Sequence, residues 1–339
     1  MQEGDKICFS LEDFTIFRCM KVIFSQYFHL VFSYKATLEF KNVIKSFFFG
    51  NYFYGCCATA LAIEATLQQR YPLSPFYFYI AIFCGTVWYY TQAYINDKDV
   101  LGQNQRTTWY LKNNQFVWFS QYFMLAILVL ISIYVLYSYM ENLPGLSQLQ
   151  WFLILVFPIS GLFYYGVGQK IIGPMSLREI GWMKPFVIGF TWAGIVNVYP
   201  LVFYDMIHHR PTEISFINIL LFIKNLMFIS VLCIMFDIKD YATDSNLKIK
   251  TFVVKNGLRA TIFYILLPLS FVGLGCFLAY GFTHQFSEMK IILNTIPFIC
   301  MIALAYGMHK RRGIMYYLVM IDGMMLLKAL CGSVAMIWF

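Results

Sequence analysis

Three aspartates stand at Asp237, Asp240 and Asp244, in the stretch Asp237-Ile-Lys-Asp-Tyr-Ala-Thr-Asp244 that comes after the apolar run Ser230-Val-Leu-Cys-Ile-Met-Phe236. On a helix the offsets i, i+3 and i+7 stack on one face, because 3.6 residues complete a turn. Carboxylates held that close repel one another, so a surface helix gains nothing from the pattern. A hard divalent cation gains a great deal, since Mg²⁺ takes carboxylate oxygens and shares its remaining positions with water or phosphate. Lys239, Lys248, Lys250 and Lys255 crowd the same region and would hold a polyanion by charge. The competing reading is a solvated, mixed-charge loop between two membrane helices. Context must decide between them.

A second group of polar and acidic residues lies in Val87-Trp-Tyr-Tyr-Thr-Gln-Ala-Tyr-Ile-Asn-Asp-Lys-Asp99. Asn96 and Asp97 end this run, with Gln92 and Tyr89 one and two turns before Asn96 and Tyr90 two turns before Asp97. Aromatic faces behind acidic groups suit a pocket that handles both a metal and a cationic intermediate; belts of Trp and Tyr at a membrane interface account for the same rings. Further candidate contacts for an anion are Arg106, Lys170, Arg178, Lys248 and Lys250. Arg is suited to bidentate phosphate binding and Lys to a point charge. Asn51, inside an apolar run, calls for a polar cavity or a helix–helix hydrogen bond. Lys224 precedes Asp237 by 13 residues, about 220° around a helix, and so faces away from the acidic cluster.

The elements that position these groups can be read from composition. Of 339 residues 60% are hydrophobic and only 12% charged, which excludes a soluble globular domain and indicates an all-α polytopic membrane protein. Nine apolar runs have spanning length: 47–68, 74–95, 117–139, 148–167, 183–204, 215–236, 260–282, 289–308 and 315–338. Cationic residues alternate between the polar breaks. Lys98, Arg106 and Lys112, then Lys170, Arg178 and Lys184, then Lys239 to Arg259, then Lys310 to Arg312, share a side with the N-terminal segment, against Arg70, Arg210 and Lys290 opposite. The positive-inside rule therefore predicts a cytoplasmic N-terminus, and both acidic stretches on that face. The net charge of +8 reflects orientation and gives no argument for nucleic-acid binding. No CxxC pair or zinc-ligand spacing occurs among the nine cysteines, and no disulfide framework is indicated. Residues 1–46 form a separate extension with neither a clear cleavage site nor a tenth span. It reads as an interfacial amphipathic helix or a poorly ordered segment.

With these two stretches on one membrane face, the chain resembles the UbiA superfamily of intramembrane prenyltransferases over residues 47–339. Asp237, Asp240 and Asp244 reproduce its second motif, DxxDxxxD, and Lys250-Thr251 with Gly257 is similar to the segment that comes after that motif in the family. Asn96-Asp97 matches the start of the first motif, NDxxDxxxD. The next acidic position there is Val100 and the last is Asn104, while Asp99 comes one residue early. The resemblance implies nine transmembrane helices in one bundle around a central cavity, with an Mg²⁺-dependent active site on the cytoplasmic side. Asp97, Asp240 and Asp244 would be catalytic. Metal would be held by Asn96, Asp97, Asp99, Asn104, Asp237, Asp240 and Asp244. Lys170, Arg178, Lys248, Lys250, Arg106, Tyr89, Gln92 and Asn51 would contact substrate. A polyprenyl diphosphate would be the donor and a lipophilic, in many members aromatic, compound the acceptor. The departures in the first motif leave open an altered or inactive member that binds isoprenoid lipid. A small-solute transporter is the other alternative; it would have to use Glu64, Lys224, Asp322 and Lys328.

Overall fold

The computed structural model describes residues 38–96, 105–164, 181–246, 250–309 and 313–339. The chain divides into two units, Met1–Ser46 and Phe47–Phe339. Among the described residues the protein is all-helical, without strands. The helices are α1 (Leu38–Phe49), α2 (Tyr52–Gln68), α3 (Phe76–Asn96), α4 (Gln105–Lys112), α5 (Asn114–Ser138), α6 (Gln148–Tyr164) and α7 (Lys184–Ile207). After them come α8 (Phe216–Asn246), α9 (Phe252–Asn256), α10 (Leu258–Thr283), α11 (Glu288–Tyr306), α12 (Ile314–Met320) and α13 (Gly323–Trp338).

Among the described residues six stretches are long and apolar enough to cross a membrane: Asn114–Ser138, Lys184–Ile207, Phe216–Tyr241, Leu258–Thr283, Glu288–Tyr306 and Ile314–Trp338. The protein is accordingly read as an integral membrane protein. The predicted runs 47–68, 74–95 and 148–167 contain helices that fall short of that standard for two reasons. α2 has 17 residues, about 26 Å at 1.5 Å per residue against a hydrocarbon core of about 30 Å, and α6 has 17 up to Tyr164, where the described residues stop. α3 has 21 residues but carries Tyr77, Tyr79, Trp88, Tyr89, Tyr90, Gln92 and Tyr94, whose polar atoms lower its hydropathy.

The packing makes a closed circuit within Phe47–Phe339. α2 packs on α13, α13 on α11, α11 on α10, α10 on α8, α8 on α7, and the middle of α7 returns to α2. α3 and α5 extend from α2, and α6 lies against α7. Small residues set the closest crossings. A side chain at Gly189 would collide with Ser230 and with the Leu226 carbonyl, so α7 and α8 meet almost backbone to backbone, tied by Ser230 Oγ donating to the Pro185 carbonyl at 3.2 Å. α7 contains a π-helical turn at Gly194–Val198, where Gly194 admits the Phe157 ring of α6. A π turn takes up one residue more than the α-helix on either side of it.

The interior holds a charged cluster: Glu64, fully buried, accepts from Lys328 Nζ at 2.5 Å and Lys224 Nζ at 3.3 Å. Gln68 bridges the cluster, accepting from Lys224 at 2.5 Å and donating to Glu64 at 2.8 Å and to Asn294 at 2.7 Å. Gly332 leaves the room that Glu64 occupies. A cavity of about 260 Å³ lies between α6, α7 and α8, lined by Leu153, Phe157, Asn197, Leu201, Asn218 and Phe222.

Candidate functional site

α8 is 31 residues long and continues without a break past its apolar portion to Asn246. Asp237, Asp240 and Asp244 therefore ride on one helix, at 0°, −60° and −20° around its axis by the usual 100° per residue. The three carboxylates have different surroundings. Asp237 is fully buried, and its Oδ1 accepts from Lys184 Nζ at 2.8 Å. Its Oδ2 is buried and has no hydrogen-bond partner among the described residues. Asp244 is buried as well, and its Oδ2 likewise has none among them. Asp240 stands between them with a side chain 42% exposed, paired with Lys239 at 2.7 Å. Burial pushes the Asp244 carboxyl up to about 6, with Asp237 and Asp240 adding to the rise and Lys184 pulling against it.

Lys184 is the residue that charge bias concealed. At the start of α7, it is one of several cations that positive-inside counting already explains, yet the tight α7–α8 crossing at Gly189 brings it to Asp237. The usable signal was its position: it and Asp237 end neighbouring apolar runs on the same side. Gly181 closes the site from the adjoining segment, since a Cβ there would meet the backbone of Lys250 and Thr251. Thr251 caps α9 by accepting from Val254 N at 3.4 Å. Lys250, one residue earlier, is exposed.

The substrate contacts expected around the first acidic stretch are engaged within the protein. Asn51 has a left-handed backbone, φ 65°, a conformation Asn tolerates better than most residues. It breaks the chain between α1 and α2. Its Nδ2 donates to Thr91 Oγ1 at 2.9 Å and to Tyr110 Oη at 3.1 Å, and its Oδ1 accepts from Arg106. Arg106 is buried and also donates to the Phe49 carbonyl at 3.0 Å and to Tyr94 Oη at 2.9 Å, with its guanidinium 4.1 Å over the Tyr94 ring. These two residues tie Phe49, α2, α3 and α4 together. Tyr89 donates to the Gly161 carbonyl at 2.8 Å and Gln92 to Gln121 at 3.2 Å, each joining α3 to a neighbour. Asp97, Asp99, Asn104, Lys170, Arg178, Lys248 and the side chain of Asn96 lie outside the described residues, as does the interfacial helix expected before residue 38.

Two further placements depart from expectation. Glu64, one turn from the end of α2, is buried between two lysines. Lys224 does face away from Asp237, as the helical angle requires, and finds Glu64. Asp322, by contrast, lies at the break between α12 and α13 and is buried, with Oδ2 unpartnered.

Comparison with known protein families, curated proteins and solved structures finds no match. The chemistry rests on the residues themselves. Among the described residues no three of His, Cys, Asp and Glu are gathered as a ready metal site. Asp237 and Asp244 are about 10.5 Å apart along the axis, too far to chelate one ion without help. The donor chemistry nevertheless fits a hard cation: two buried carboxylate oxygens on one helix face lack the partner that burial of a charge demands.

Proposed function

We propose that this chain is an Mg²⁺-dependent intramembrane prenyltransferase that moves a polyprenyl group from its diphosphate to a lipophilic acceptor. The observation that carries the reading is the pair of buried, unpartnered carboxylate oxygens, Asp237 Oδ2 and Asp244 Oδ2, at the polar end of a membrane helix. A solvated loop would leave such oxygens to water, and a purely structural pair would leave none over. The resemblance to the UbiA superfamily supplies the reaction. In this reading α2, α3 and α6 also cross the bilayer, giving nine spans, with the N-terminus and the site cytoplasmic and residues 1–46 as an extension.

Asp237, Asp240 and Asp244 hold metal in this reading, with Asn96, Asp97 and either Asp99 or Asn104 as the opposing site. Bound Mg²⁺ supplies charge neutralisation of the leaving diphosphate. Lys184 fixes the Asp237 carboxylate through Oδ1 and leaves Oδ2 for the ion. Lys250, exposed beside the cap of α9, meets the diphosphate as a point charge, with Lys170, Arg178 and Lys248 as further contacts. When the C–O bond breaks, its electron pair leaves with the diphosphate and an allylic cation remains. The stacked rings of Tyr54 and Tyr90, 5.0 Å apart, and the Trp192 indole that donates to Tyr90 offer faces that stabilise it.

The decisive experiment is diphosphate release from a prenyl diphosphate by purified protein, with and without Mg²⁺. Asp240→Ala suits the test because its side chain is half in solvent and holds up no buried partner. Release that requires Mg²⁺ and disappears in that variant supports the proposal; unchanged release in the variant refutes it. Mg²⁺-dependent binding of a non-hydrolysable donor analogue without turnover would indicate the isoprenoid-binding alternative.

A further inference from the structure

Asp322 is a buried acid that the reaction above does not use. It sits at the break in the last apolar segment, between α12 and α13, and is 2% exposed. Its Oδ2 has no hydrogen-bond partner. Helical breaks inside a bundle free polar groups, and an ionisable side chain kept at one marks function more readily than packing. The neighbourhood converges from several helices. Tyr54 of α2 lies beside the carboxylate. Cys57, one turn on, lies against the Asp322 carbonyl at 3.9 Å. Arg106 of α4 and Lys239 of α8 act on it by charge, and Cys233, one turn before Asp237, feels both Asp322 and Asp237.

Tyr54 also connects this acid to the aromatic group. Its ring stacks on Tyr90, which accepts from Trp192. A carboxylate oxygen without a partner among the described residues thus lies near the rings that would face the allylic cation.

Resting on the prenyltransferase reading, we infer that Asp322 is the base that takes the proton released by the acceptor. In the transfer, the donor C–O bond breaks with its electron pair leaving on diphosphate. A bond forms between the acceptor nucleophile and the allylic carbon, which leaves the acceptor one positive charge in excess. The acceptor then loses a proton to Asp322 Oδ2, with Tyr54 beside the carboxylate. Charge and atoms balance, and no co-reactant is required. The substrate class is thereby narrowed to an acceptor with a transferable proton on, or one bond from, its attacking atom. An alkene acceptor that only passes the cation onward is excluded.

Asp322→Asn preserves shape and removes basicity; Tyr54→Phe keeps the stacked ring and removes the hydroxyl. Prenyl diphosphate should be supplied with a phenolic acceptor, and diphosphate, prenylated product and prenyl alcohol measured separately across pH 5–9. The expected result in Asp322→Asn is a fall of about 10²–10⁴ in transfer, the usual contribution of a general base, while Mg²⁺-dependent diphosphate release persists with water as the acceptor. The acidic limb of the transfer rate should vanish with it, and Tyr54→Phe should shift that limb. Transfer within threefold of wild type with an unchanged pH profile overturns the proposal. An equal loss of release and transfer also overturns it, by making Asp322 a structural residue. Wild-type protein that releases no diphosphate at all sinks the parent reading instead, and this one with it.

Discussion

Replacing Glu64 with Gln isolates the energetics of the bundle interior. Glu64 is fully buried and serves two ammonium groups, Lys328 at 2.5 Å and Lys224 at 3.3 Å, which are 3% and 1% exposed. Glutamine keeps the shape and the contact with Gln68, so little cavity term arises and the change is one of charge. Removing one partner of a buried pair costs about 3–5 kcal/mol, because the other charge is left uncompensated. At about 2 °C per kcal/mol for a chain of this length, the melting temperature should fall by roughly 6–10 °C. Lys224→Met is the informative contrast. It leaves a one-to-one pair of Glu64 with Lys328 and removes the excess cation, at the expense of an unmet Gln68 Oε1, about 1–3 kcal/mol. Its melting temperature should fall by less, roughly 2–6 °C. Thermal unfolding in one detergent, followed by tryptophan fluorescence or by retention of the soluble fraction, measures both variants. Equal losses in the two variants, or a Glu64→Gln protein within about 2 °C of wild type, would refute the reasoning.

Two other outcomes are expected at the site and beside it. Asp244 has its carboxyl raised by burial to about 6, above the ordinary 3.8. The folded state therefore binds this proton more tightly than the unfolded chain, and stability in Mg²⁺-free buffer gains as pH falls from 7 through 6 toward 4. Asp244→Asn should flatten that part of a melting-temperature profile, and Mg²⁺ affinity in wild type should weaken below about pH 6. For Arg106→Lys, the ammonium cannot reproduce the fork to Phe49 and Asn51. A loss of about 3 kcal/mol is expected, from two charge-assisted bonds, and it should be non-additive with Asn51→Ala in a double-mutant cycle; strict additivity would show that the two do not act together.

Hydropathy and helical angle made much of this legible. The membrane class and the six longest spans come from apolar length. The direction of Lys224 comes from its offset to Asp237, and the shared face of Asp237, Asp240 and Asp244 from a helix that runs on to Asn246. Depth and pairing lay beyond periodicity. Nothing in the run around Glu64 says that Lys224 and Lys328, more than 150 residues away, meet it. Arg106 looked free for an anion because a cation in a cytoplasmic break is expected there; its actual partners, the Phe49 carbonyl and Asn51, are separated from it by more than fifty residues. Lys184 was hidden by the same bias. The three acids look alike in sequence, and only packing tells the buried Asp237 and Asp244 from the half-solvated Asp240.

The π turn at Gly194–Val198 has a consequence for how this protein can vary. By holding one extra residue, it lets the two halves of α7 be aimed separately: the first half carries Lys184 to Asp237, and the turn itself carries Asn197 to Asn225. Substitutions along α7 leave that aim intact. Deleting one residue between 194 and 198 would restore a plain helix and turn one half against the other by about 100°, so that one of the two contacts is lost whichever half gives way. Segment length is then what selection must guard here beside Gly194 and Asn197, and relatives of this chain should keep the count of the turn even where its other letters differ.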